Sequence, residues 1–85
     1  MNQEVILLQL RQIINTNFGV PLEHITPESS FRANLGMDSL DLVDLIFFVG
    51  KNFAVDKPVE AYHELVTVQE LASFIYVQLE EAKDS

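Results

Sequence analysis

In the stretch GMDSLDL, residues 36–42, one serine stands between two aspartates just where an apolar helical pattern begins. Three chemistries could use Ser39. A serine nucleophile needs a base within hydrogen-bond reach, an acid to orient it and an oxyanion hole. The chain has only two histidines, His24 in a long loop and His63 in a short segment, and each reads more simply as a solvated or capping side chain. GMDSL also lacks the G-x-S-x-G elbow and its strand-turn-helix setting. A structural cap is the plainer alternative, since Ser and Asp are common at helix starts. Asp38 already fills the cap position, however, which leaves Ser39 at the first helical position with its hydroxyl free. The third chemistry is attachment. Unpaired N–H groups and the positive dipole end of a helix favour a phosphate ester there. Asp38 and Asp41 oppose capture of free phosphate, so the site suits a phosphate delivered by another protein.

A serine used in this way needs a helix beneath it and a core behind that helix. Residues 3–17 carry Ile6, Leu7, Leu10, Ile13 and Ile14 at helical spacing, with Asn2 as N-cap and Gly19 as stop. From 19 to 38 the pattern breaks at Pro21, Pro27, Ser29 and Ser30, and Gly36 offers a positive φ. So long a loop is unusual in a small domain. Val20, Leu22, Ile25, Phe31 and Leu35 dot it with apolar anchors, which predicts a segment pinned across the bundle. The second helix begins at Ser39, where Asp38 and Asp41 resemble a capping box. Leu42, Leu45, Ile46, Val49 and Phe53 share its core face. Asp41, Asp44, Lys51 and Asn52 fall opposite. Leu40, Val43 and Phe47 form an apolar flank off the core centre, beside the line through Ser39.

Two residues of this helix fit the pattern less well. Gly50 either weakens the helix or ends it as a left-handed stop, and the core position of Phe53 favours a helix that continues. Phe48 lies amid the polar face, where it packs on the long loop or adds to a docking surface. Lys57-Pro58 then interrupts any helix, and residues 59–65 have room for a short helical turn or two, the short helix of the bundle. TVQE, residues 67–70, is a full capping box. It opens a last helix with Val68, Leu71, Ala72, Ile75, Tyr76 and Leu79 in one stripe, and residues 83–85 should fray. The expected architecture is an all-α, four-helix bundle, three long helices and one short, with a long first loop, in a single domain over 1–85.

Composition narrows the function. Apolar residues make up 48% of the chain, too many for a disordered tail. The longest apolar run, LIFFV at 45–49, is far too short to span a bilayer. MNQE at the start is no signal-peptide n-region. A cytoplasmic monomer is expected. Cysteine is absent, so there is neither a disulfide framework nor a thiol of the chain's own. Thirteen acids face five bases, a net charge of −8. That disfavours nucleic acid, whose binding rests on Lys and Arg, and favours partners with basic docking patches.

LGMDSLDLVDLI, residues 35–46, resembles the attachment motif of acyl carrier proteins, whose serine receives 4′-phosphopantetheine. The FGV of the first loop, SFRANLG before the site, Phe53, Pro58 and LVTVQEL at the last helix follow the same family's order and spacing. The resemblance covers nearly the whole chain. It implies that Ser39 is the attachment residue and that Asp38 caps the helix and helps the phosphopantetheinyl transferase recognise the site. Leu40, Asp41, Val43, Asp44 and Phe47 would form the surface that meets acyl-transferring or condensing enzymes. The chain would not be an enzyme and would need no metal. Its thiol would arrive with the arm, and acyl groups of fatty-acid or polyketide-type biosynthesis would ride on it as thioesters. Familiar fatty-acid carriers have a cluster of acids where this chain has Gly50, Lys51 and Asn52, and an apolar residue in place of Lys57. Those departures suggest a specialised carrier. The alternative is a carrier-fold interaction domain that is never modified and binds a partner through the apolar flank.

Overall fold

The computed structural model describes residues 2–83, with Lys83 described by its backbone alone. Helix α1 spans Gln3–Phe18. The Asn2 side chain caps it by accepting from the Val5 N–H at 2.9 Å. Gly19 ends it at φ 69, donating its N–H to the Asn15 carbonyl at 3.1 Å. Without a Cβ, glycine takes this left-handed conformation at little cost. Ile6, Leu10, Ile13 and Ile14 are buried, and the helix packs mainly on the last helix and less on the middle one.

The long connection is strapped down at both ends. Arg11 reaches from α1, donating from Nε to the Ile25 carbonyl at 2.8 Å and from Nη2 to the Leu22 carbonyl at 2.6 Å. Leu22–His24 forms a 3-10 turn. Ile25, Phe31 and Leu35 enter the core as expected, and so does Met37, which carries no periodic signal. Leu22 does not: it opens the turn and is 37% exposed. Farther along, the Val68 N–H donates to the Ser29 carbonyl at 3.0 Å and the Gln69 N–H to the Pro27 carbonyl at 2.9 Å. The loop thereby satisfies two donors that a helix start leaves without intrahelical partners. The Phe31 N–H returns a bond to the Val66 carbonyl at 3.0 Å, and Ser30 and Thr67 form an isolated antiparallel bridge.

Helix α2 spans Ser39–Phe53 and buries Leu45, Val49 and Phe53. Leu42 and Ile46 are half-buried against the same core. Gly50 lies inside the helix. The left-handed residue that ends it is Ala54, at φ 57. Phe48 is partly buried against the core and has two ring partners on the helices. Its ring meets Phe18, the last residue of α1, edge-on at 6.0 Å, and Phe47 at 5.9 Å.

The expected short fourth helix does not form as an α-helix. Val59–Tyr62 is a 3-10 turn. Ala61 donates to the Pro58 carbonyl at 3.0 Å and His63 to Glu60 at 3.2 Å, the i to i+3 pattern of tight, short helices. Helix α3 spans Val68–Lys83. In its capping box the Glu70 N–H donates to Thr67 Oγ1 at 3.2 Å, and Glu70 Oε1 accepts from the Thr67 N–H at 3.0 Å. These backbone donors, Thr67 first and then Val66, hold the Glu70 carboxyl below the ordinary carboxylate range. Val68, Leu71, Ala72 and Ile75 are buried, and Tyr76 and Leu79 pack partly against them. The described residues thus form three α-helices and two 3-10 turns. Of the residues expected to fray, Lys83 still belongs to α3, and 84 and 85 lie outside the described residues.

Candidate functional site

Ser39 is the first residue of α2 and is exposed. The capping box fixes the chain on either side of it. Asp38 Oδ1 accepts from the Asp41 N–H at 2.9 Å, and Asp41 Oδ2 accepts from the Asp38 N–H at 3.2 Å. Each carboxylate therefore spends one oxygen on a main-chain donor, which stabilises the helix start. Ser39 takes no part in this box. Its Oγ accepts instead from Arg32 Nη2 at 3.0 Å. The turn that brings Arg32 there is closed by the Met37 N–H on the Phe31 carbonyl at 2.9 Å, with Gly36 at φ 66.

Two serines of the long loop have their hydroxyls engaged elsewhere. Ser29 is buried, its Oγ donating to the His24 carbonyl at 2.9 Å and accepting from the Thr26 N–H at 2.9 Å. Ser30 Oγ accepts from the Ala33 N–H at 3.2 Å. Along α2 from Ser39, Leu40, Val43 and Phe47 are 77%, 46% and 65% exposed. Asp44 is exposed beside them and Asp41 half-buried. The two aspartates and this apolar flank lie on the same helix as the serine.

A cleft of about 350 Å³ opens next to Ser39 and Arg32, between α2 and the Val59–Tyr62 turn. Leu42, Ile46, Val59, Leu65 and Leu71 make its walls chiefly apolar. Tyr62 lines it too. That ring is buried, 4.9 Å from the ring of Phe74, and its hydroxyl has no hydrogen-bond partner among the described residues. Burial raises the pKa of the phenol, so it stays a neutral donor. An unsatisfied buried hydroxyl costs about 1–3 kcal/mol. His63 also lines the cleft.

The structure places Ser39 at the start of α2, Asp38 at its cap and the apolar flank in the open, where the sequence puts them, and it brings Arg32 and Tyr62 near, which the sequence does not single out. Arg32 belongs to no helical stripe and meets Ser39 only through the Gly36 turn. Tyr62 becomes interior only through the 3-10 turn. Together, an accessible hydroxyl, a guanidinium within bonding distance and the N–H groups of a helix start fit a phosphodiester joined to Ser39. The adjoining apolar cleft fits what such an arm would bring.

The phosphopantetheine attachment site family matches residues 8–75, and with the relatives that follow it shows that the chain belongs to the acyl carrier protein family. Its cofactor is 4′-phosphopantetheine, held covalently. Among its relatives are the acyl carrier protein of Rubrobacter xylanophilus, 37% identical over 75 residues, and that of Thermosynechococcus vestitus, 40% identical over 75 residues. Each alignment takes in 88% of this chain and 93% of the relative. The crystal structure of an acyl carrier protein from Thermotoga maritima superposes with a TM-score of 0.83 at 28% identity, covering 96% of this chain and 95% of that one.

Proposed function

We propose that Ser39 carries the phosphopantetheine arm and that the protein shuttles acyl intermediates between separate enzymes without catalysing a step itself. The observation that carries this reading is the Ser39 hydroxyl, exposed at the start of α2 and bonded to Arg32. Asp38 holds the helix start rigid, and Arg32 faces the position of the phosphate. The arm supplies a terminal thiol on which acyl groups travel as thioesters. The chain's own part is to hold the attachment point, to shelter cargo against Leu42, Ile46 and Leu71, and to present the partner surface. Leu40, Val43 and Phe47 give that surface its apolar contacts, with Asp41 and Asp44 supplying charge for basic patches on the transferase and on acyl-transferring or condensing enzymes. Work in the cytoplasm suits this role; no described helix is long and apolar enough to cross a membrane. Lys51 and Asn52 near the end of α2 favour a specialised fatty-acid or polyketide-type pathway.

Incubation with a phosphopantetheinyl transferase, CoA and Mg²⁺ tests the attachment by intact mass. The parent should gain one arm. Ser39→Ala should keep its circular dichroism spectrum and gain nothing. Modification at Ser29 or Ser30, or no gain with several transferases, would overturn the assignment. The exposed flank also suits an unmodified interaction domain, and persistent absence of the arm in protein from its native host would favour that reading.

A further inference from the structure

Ser39 is an awkward place to bring a phosphate. CoA carries its arm on a pyrophosphate, and Asp38 and Asp41 stand one and two residues from the hydroxyl that must meet it. Like charges at that range oppose the approach. Arg32 is the cation beside the hydroxyl, with Nη2 at 3.0 Å from Ser39 Oγ. The turn that bears it is held by the Met37 N–H on the Phe31 carbonyl and by buried Phe31, Leu35 and Met37. Other cations are placed elsewhere. Arg11 is committed to the Ile25 and Leu22 carbonyls, Lys51 lies in the last turn of α2, and Lys57 follows that helix. A bond between an exposed guanidinium and an exposed hydroxyl contributes little to the fold.

We infer that Arg32 assists the loading of its own serine: the acceptor protein brings to the transferase a cation that promotes the transfer step. This rests on the attachment at Ser39. In that step Ser39 Oγ attacks the phosphorus of CoA that bears pantetheine. The Oγ–P bond forms, the bond from that phosphorus to the bridging oxygen breaks, and adenosine 3′,5′-bisphosphate leaves with the electron pair. A general base of the transferase takes the serine proton. A serine oxygen has two lone pairs, and Arg32 engages one while the other stays free to attack. Its positive charge favours the alkoxide that develops as the proton departs. The other N–H groups of the guanidinium are available to the charge that gathers on the phosphoryl oxygens.

Single-turnover loading tests this, with transferase in excess over the carrier and CoA and Mg²⁺ saturating. Intact mass against time gives a limiting rate and a half-saturating transferase concentration. The parent is compared with Arg32→Gln, Arg32→Lys and Lys57→Gln, the last of which removes the same charge away from Ser39. Arg32→Gln should lower the limiting rate roughly tenfold, less than the loss of a fully buried donor would. Its half-saturating concentration should stay within about twofold of the parent's, because the lost interaction belongs to the transition state. Arg32→Lys should recover part of the rate, Lys57→Gln should match the parent, and all four circular dichroism spectra should agree. A limiting rate unchanged in Arg32→Gln, a change confined to half-saturation, or an equal loss in Lys57→Gln would each overturn the inference while the arm at Ser39 still stands. A parent that gains no arm would overturn the attachment and this inference with it.

Discussion

Arg32 donates to the one atom on which the proposed chemistry depends, Ser39 Oγ, from 3.0 Å away. Once that oxygen is esterified, the guanidinium stands beside a phosphodiester, a pairing its planar donors suit well. The contact is exposed, so its contribution should be on the order of 0.2–1 kcal/mol and should weaken as salt rises. Arg32→Gln should leave the unmodified fold unchanged. In the holo protein, the phosphorus-31 resonance should shift with added salt in the parent and hardly at all in Arg32→Gln. Identical salt responses would show that Arg32 bonds the serine but not the phosphate. The serine and its flanking acids were readable because a helix start has a local grammar of caps. Arg32 and Tyr62 were not, because their roles arise from turns that bring distant parts of the chain together.

Helix α2 ends at Ala54, a residue with a Cβ held at φ 57. Left-handed backbone costs an L-residue about 1–2 kcal/mol, and glycine escapes most of this. Ala54→Gly should therefore raise stability by about 1 kcal/mol, roughly 4–8 °C in melting temperature. Gly50→Ala is a different case. The sequence predicts a gain of about 1 kcal/mol from helix propensity. A Cβ there would lie 3.3 Å from the Val55 carbonyl oxygen, backbone that has just left the Ala54 turn. The two effects oppose, and the variant should melt within about 0.5 kcal/mol of the parent. A gain from Gly50→Ala as large as that from Ala54→Gly would mean that the carbonyl yields freely. The three long helices were readable from the spacing of Ile6 to Ile14, Leu42 to Phe53 and Val68 to Leu79 and from their caps. After Pro58 the sequence shows a short helical turn but not its type, because four residues are too few for a periodicity and the 3-10 and α patterns differ there by a single hydrogen-bond step.

Across the whole molecule the net charge is −8, but the outer face of α2 is not uniformly acidic. Asp44 lies midway along it, and Lys51 and Asn52 are exposed near its end. Against a basic patch shaped for the full helix, Lys51 should cost on the order of 0.2–1 kcal/mol, chiefly through association rate. Weak activity with a generic fatty-acid ketosynthase is expected. Lys51→Glu combined with Asn52→Glu should improve it, most of all at low salt, while Gly50 is best left unchanged because of the Val55 carbonyl. Phe47→Ala should impair generic and cognate partners alike at every salt concentration. Equal activity of the parent and the double-Glu protein at low salt would show that these positions do not choose the partner. The bonds from Val68 and Gln69 to Ser29 and Pro27 tie the loop before α2 to the first turn of α3. Their formation must await closure of a long stretch of chain, which is slow compared with joining neighbouring helices. On a ribosome, the serine-bearing helix emerges well before the residues that lock its frame. A transferase that reads the finished surface can therefore act only after residues 68 and 69 have left the exit tunnel.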